Sequence, residues 1–221
     1  MRFDGIIFDF DGVLIESERA GNEQLAAYLT TLGAPTTAEE SMASFMGLAG
    51  QDFVTAVEAR LGHPLPPEFR TLREAEEARA IAEGIGEVAG AVAFVRGLPP
   101  TLSIAVASSS STRWIAAHLA HLGLADRFGG RIFSGREHVA RGKPAPDLYL
   151  HAAAALDVPI ERCAILEDSL VGVTGAVASG GYVIGLCAGT HCATGHGDIL
   201  RARGADVVAR DFAEVTAALN G

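Results

Sequence analysis

The sequence predicts an α/β fold, a parallel sheet covered by helices and interrupted after its first strand by a helical module. Three observations carry this expectation. Short β-like runs alternate with helical stretches, the pattern of repeated strand–helix–strand units. Several of those runs are apolar at consecutive positions, as strands covered on both faces are. Between residues 16 and 84 the apolar spacing is helical throughout and no convincing strand occurs.

The first predicted strand is Phe3–Phe8, followed at once by the carboxylates of Asp9 and Asp11. The helical module then begins. "ERAGNEQLAAYLTTLG" repeats apolar residues at helical spacing and stops at Gly33, "TAEESMASFMGL" continues in the same manner, and "QDFVTAVEARLG" stops at Gly62. Pro64, Pro66 and Pro67 open the last helix, which runs to Gly84. Beyond it the predicted strands are Leu102–Ala107, Arg131–Phe133, Cys163–Leu166, Tyr182–Leu186 and a short Asp206–Val208. The predicted helices between and after them include Thr112–Leu122, Pro146–Ala155, Leu170–Ser179 and Phe212–Leu219. The expected division is therefore residues 1–15 with 85–221 as the core and residues 16–84 as the insertion. Its place directly after two aspartates at a strand end marks it as a lid, since insertions at the carboxyl ends of parallel strands lie over the binding crevice.

Composition narrows the function. A hydrophobic share of 49% with 20% charged residues is that of a globular chain. No uninterrupted run approaches the ~18 apolar residues that span a bilayer, and the first residues lack a signal-peptide layout. The expectation is a cytoplasmic monomer with no membrane partner. A net charge of −10 argues against nucleic acid, because phosphate backbones attract basic surfaces. Three cysteines fit a reduced compartment without disulfides. The stretch "CAGTHCATGHGD", with Cys187, His191, Cys192 and His196, matches no common zinc spacing. It reads as a strand-to-helix connection without zinc.

In an open parallel sheet, ligands bind outside the carboxyl ends of the strands, so polar residues just after each strand converge. Those residues are Asp9 and Asp11, then Ser108 at the head of "SSSS", then Lys143 in "RGKPAPD", then Glu167 and Asp168. Lys143 is the only lysine in the chain. Two adjacent buried carboxylates without a counter-charge are costly. A set of carboxylates with no histidine or cysteine among them selects a hard cation, and magnesium is the usual one beside a phosphate. With that cation and Lys143 shielding a phosphate, a carboxylate can attack phosphorus. Ser108 and neighbouring amides can hold the transferring oxygens, and Asp11 can protonate the leaving alcohol and then activate water. Ser109, Ser110 and Ser111 are expected to cap a helix or form a turn.

These segments resemble the motifs of the haloacid dehalogenase superfamily, across essentially the whole chain. "DFDGVLIES" is similar to its first motif, Ser108 to its second, Lys143 in "GKPAPD" to its third, and "EDS" with Gly172 to its fourth. The resemblance implies a Rossmann-like parallel sheet core with a helical C1 cap inserted after the first strand. It further implies Asp9 as nucleophile, Asp11 as general acid and base, and Ser108 and Lys143 as catalytic partners. Mg2+ would be held by Asp9, the main-chain carbonyl of Asp11 and Asp168, with Glu167 bound directly or close by.

Within the superfamily, the presence of Asp11 argues against carbon–halogen cleavage, and a cap without lysine argues against phosphonate cleavage by a Schiff base. The chain resembles the branch that holds the β-phosphoglucomutases and the sugar-phosphate phosphatases. In "GLAGQD", Gly50 stands about where the mutases carry an arginine for the second phosphate, and Gly21 where they carry a histidine. Both favour a magnesium-dependent phosphatase acting on a small phosphorylated sugar or polyol. The alternatives are a phosphomutase and a non-enzymatic phosphate-binding regulatory protein on the same fold. Candidate substrate contacts in the cap are Arg19, Asn22, Phe45, Met46 and Gln51.

Overall fold

A computed structural model describes residues 2–45, 48 and 50–221. Six strands, β1 (Gly5–Phe8), β2 (Ser103–Ser108), β3 (Ile132–Ser134), β4 (Cys163–Glu167), β5 (Tyr182–Leu186) and β6 (Val207–Ala209), form one sheet. The order is β3-β2-β1-β4-β5-β6 and every pairing is parallel. The chain winds outward from β1 to β3, then crosses back to β4 and winds the other way. The order therefore reverses between β1 and β4, and in open parallel sheets ligands bind outside the carboxyl ends of the strands at such a reversal.

The consecutive apolar residues of these strands follow from the pleat. Ile6, Phe8, Ile104, Val106, Ala164, Leu166 and Ile184 fill one buried layer, and Ile7, Ala105, Ala107, Ile165 and Val183 the other. Alternate side chains point to opposite faces, and both faces are covered. The helices flanking the sheet are numbered after the four of the insertion. They are α5 (Ala91–Gly97), α6 (Thr112–His121), α7 (Ala125–Phe128), α8 (Asp147–Ala155), α9 (Leu170–Ser179), α10 (His196–Ala202) and α11 (Phe212–Asn220).

The sequence places most of these elements within two residues of their ends, with three differences. β2 begins and ends one residue later than expected, so Ser108 is the last residue of the strand rather than the first of a loop. The short helices α5 and α7 are too brief for a helical period to stand out in the sequence. The stretch read as a connection after β5 already contains the start of α10 at His196.

By contact density the chain divides into two compact units, Met1–Glu16 with Ile85–Gly221, and Ser17–Gly84. The second contains α1 (Ser17–Thr31), α2 (Ala38–Phe45), α3 (Gly50–Leu61) and α4 (Glu68–Glu83). Its own core is Leu25, Leu29, Phe45, Val57 and Phe69, with Tyr28 and Phe53 packed against it. A capping box starts α2, with the Glu40 amide donating to Thr37 Oγ1 at 3.1 Å and the Thr37 amide to Glu40 at 3.0 Å.

Candidate active site

Asp9 follows β1 directly and is 6% exposed. Its amide continues the ladder by donating to the Leu166 carbonyl at 2.9 Å, which sets it beside the end of β4. There Glu167 and Asp168 are buried in turn. Oxygens of Asp9, Glu167 and Asp168 lie within 4.8 Å of one another. The side chain of Lys143, 3% exposed, donates to Asp9 Oδ1 at 2.7 Å and to Glu167 Oε1 at 2.5 Å.

One ammonium thus faces three buried carboxylates, and the electrostatics follow. Burial pushes Asp9 well above the ordinary carboxylate range, and the charge of Glu167 adds to the push, Lys143 notwithstanding. Asp168 is raised by the same two causes. Burial disfavours the ammonium of Lys143, but the charges of Asp9 and Glu167 outweigh it and hold the proton on. Tyr149 is raised by burial and by Glu167, so it stays a donor, and its hydroxyl gives a 2.5 Å bond to Glu167 Oε1. Ser169 Oγ donates to Glu167 Oε2 at 3.2 Å. Gly172 leaves the room that this carboxylate occupies, since a Cβ there would stand 2.0 Å from Glu167 Oε2.

The donor set suits a divalent hard cation, which would offset the excess negative charge. Asp168 Oδ1 is buried with no hydrogen-bond partner among the described residues, as a ligand atom awaiting a cation would be. Glu167 differs from it, because both of its oxygens already meet protein donors.

Asp11 has other neighbours. Ser110 Oγ donates to its Oδ2 at 2.6 Å, Ser108 Oγ reaches the same oxygen at 3.4 Å, and the indole N–H of Trp114 donates to Oδ1 at 3.0 Å. Only Ser111 does the capping expected of the serine run, by accepting from the Trp114 amide at the start of α6. Ser110 forms the expected turn, its amide donating to Ser108 Oγ at 3.0 Å, and its hydroxyl in addition serves the Asp11 carboxylate. No motif in the sequence marks Trp114 for this role, although it is the chain's one tryptophan and sits on the first turn of the helix after β2.

The connection after β5 also reaches this place. His191, 4% exposed, approaches Asp168 Oδ2 with its Nε2 at 2.8 Å, and His196 Nε2 donates to the Asp168 carbonyl at 2.6 Å. Neither histidine was expected here.

The six core residues named from strand ends, Asp9, Asp11, Ser108, Lys143, Glu167 and Asp168, are thus neighbours. The cap candidates divide. The Asn22 amide is spent inside the cap, donating to the Glu18 carbonyl and accepting from Ser41 Oγ at 2.8 Å each. Phe45 belongs to the cap core and is 4% exposed, so packing rather than substrate accounts for it. Arg19 pairs with Glu23 and Glu39 on the cap surface, and Gln51 is exposed at the start of α3. Met46 lies outside the described residues.

A family model for haloacid dehalogenase-like hydrolases matches residues 3–180. The chain is 27% identical over 191 residues to the 6-phosphogluconate phosphatase of Escherichia coli K12, a match covering 86% of this chain and 85% of that one. It is 25% identical over 232 residues to the β-phosphoglucomutase of Bacillus subtilis 168, covering 96% and 91%. Among solved structures, a haloacid dehalogenase-like protein from Agrobacterium tumefaciens C58 superposes with a TM-score of 0.89 at 31% identity, covering 99% of this chain and 98% of that one.

Proposed function

The chain belongs to the haloacid dehalogenase-like hydrolases, and from that premise we propose that it is a magnesium-dependent phosphatase of small phosphorylated sugars or polyols, working through a phosphoaspartate at Asp9. The observation that carries the reading is the unlike surroundings of two carboxylates one residue apart. Asp9 is buried against Lys143, whereas Asp11 is held by Ser110 and Trp114. Two carboxyl groups with different settings suit a nucleophile and a proton carrier.

In the first half-reaction an Asp9 carboxylate oxygen forms a bond to phosphorus while the ester P–O bond breaks, and the leaving alkoxide takes its proton from the Asp11 carboxyl group. In the second, a water oxygen attacks the same phosphorus and its proton passes to the Asp11 carboxylate. The Asp9–phosphorus bond then breaks and inorganic phosphate leaves. Lys143 keeps its charge throughout and offsets that of the transferring group, and Ser108 at the end of β2 supplies a hydroxyl beside it. A Mg2+ held by Asp9 and Asp168, when bound, supplies further neutralisation of the phosphoryl oxygens. The sugar-phosphate class rests on the relative that acts on 6-phosphogluconate.

The test is inorganic phosphate release from a panel of sugar and polyol phosphates, with Mg2+ and with chelator. Metal-dependent release from at least one of them is expected. Absence of release from every phosphomonoester would overturn the reading. The phosphomutase alternative has its own support in the B. subtilis relative, and its discriminating test is given below.

A further inference from the structure

We propose that His191 and His196, on the connection after β5, are positioning residues that set the orientation of Asp168 for cation binding. The inference rests on the reading of Asp168 as a metal ligand.

Four observations carry it. His191 Nε2 lies 2.8 Å from Asp168 Oδ2, both side chains being buried, while Asp168 Oδ1 has no hydrogen-bond partner among the described residues. One oxygen is thereby tied to protein and the other left for a ligand. His196 Nε2 stands 2.6 Å from the main-chain carbonyl of the same residue, so backbone and side chain are both gripped. Two glycines make the slot: a Cβ at Gly12 would come within 2.0 Å of Asp168 Oδ2 and 2.9 Å of the His191 ring, and one at Gly189 within 2.5 Å of that ring. The connection itself is anchored next to His191, where the Thr190 amide and hydroxyl both donate to Glu16, the latter at 2.7 Å.

The chemistry fixes the tautomers. A carboxylate and a carbonyl only accept, so both rings carry their proton on Nε2. That weighs against the competing use of the same cluster. Donor atoms of His191, Cys192 and His196 lie within 4.8 Å of one another and could gather a thiophilic cation such as zinc. A proton on Nε2 leaves each ring only its Nδ1 lone pair, so such a cation could not use the ring edges that face Asp168. Residues that hold a ligand's second oxygen typically govern metal affinity by about 10–100-fold.

The experiment measures Mg2+ affinity without turnover, by competition against Mn2+ followed by electron paramagnetic resonance. His191→Phe, which keeps a ring but has no donor, should weaken Mg2+ by about 10–100-fold. His191→Gln, whose amide N–H can replace the donor, should recover most of the loss. Gly189→Ala, whose methyl would meet the His191 ring first, at 2.5 Å, and the Gly12 carbonyl next, at 3.1 Å, should act like His191→Phe and serves if that variant folds poorly. Unchanged Mg2+ affinity in folded His191→Phe and Gly189→Ala would overturn the proposal. So would tight zinc binding that Cys192→Ser abolishes while the His191 variants keep their Mg2+ affinity. Phosphate release is measured separately on the unmodified protein. If that protein binds Mg2+ yet hydrolyses nothing, the phosphatase reading falls and the binding series still decides this one.

Discussion

Asp9 and Asp11 stand one residue apart and meet different partners because a strand end and its turn send them different ways. Asp9→Asn should abolish the phosphoenzyme, which intact-protein mass spectrometry after acid quench would detect in the parent. Asp11→Asn should lower turnover by about 10²–10⁴-fold while Mg2+ affinity stays near that of the parent; a retained rate would exclude Asp11 as proton carrier. Trp114→Phe removes one donor from the Asp11 carboxylate, and a hydrogen bond to a charged group is worth about 1.5–3 kcal/mol. A kcat lower by about tenfold or more is expected, since 1.36 kcal/mol is a factor of ten.

Asp9 and Asp168 also give a pH dependence whose sign can be worked out. Burial and the charge of Glu167 hold their folded-state pKa values above the ordinary carboxylate range. The stability that such raised groups lend is complete below the unfolded value and is lost as pH rises through the folded values. On the proposed reading, a Mg2+ held by their ionised forms would relieve that loss. The difference in Tm with and without saturating Mg2+ should therefore widen as pH is raised from about 4 toward neutrality, and calorimetry across that range would check it. A constant difference would mean that the cation does not meet these carboxylates.

At the scale of the element, two helix glycines have opposite reasons to be glycine. Gly172 on α9 is a close approach, with Glu167 Oε1 and Oε2 within 2.2 Å of any added Cβ. Gly172→Ala should displace Glu167 from Lys143 and Tyr149, lowering both Tm and turnover. Gly21 on α1 would place its Cβ against nothing within 4 Å. Gly21→Ala should gain about 0.5–1 kcal/mol from helix propensity alone, seen as a raised Tm in the same assay. A lowered Tm for Gly21→Ala would show that this position meets something beyond its own helix.

For the molecule as a whole, the open issue between phosphatase and phosphomutase is one of counting cations. A mutase holds a bisphosphate through a reorientation and needs positive charge for each phosphate. Lys143 is committed to the core carboxylates. Of the five arginines in the cap, Arg19, Arg60, Arg70 and Arg73 each pair with a glutamate of the cap itself, which among the described residues leaves Arg79 as a single cation to set against a second phosphate. Glucose 1-phosphate supplied with a trace of the 1,6-bisphosphate should therefore yield inorganic phosphate in phosphorus NMR. Accumulation of glucose 6-phosphate instead would make the protein a mutase and undo the reading of Gly21 and Gly50. Among the described residues no helix is long and apolar enough to cross a membrane, in keeping with the chain's scattered alanines.

The sequence by itself determined the sheet, the order of its strands along the chain, the helical insertion and the six polar residues at strand ends. All of these are written locally: periodicity reports which face of an element is buried, and the residue after a buried strand is placed by the strand. Only the tertiary structure decided that Trp114 reaches back 103 residues to Asp11, that Tyr149 and Ser169 meet Glu167, and that His191 and His196 grip Asp168. It also decided that Phe45, one apolar residue among many, faces the cap core. The physical reason is that a polar contact between distant segments depends on strand register, loop path and rotamer together. None of these leaves a period in the chain, and they become fixed only when the two layers of the core close on the sheet.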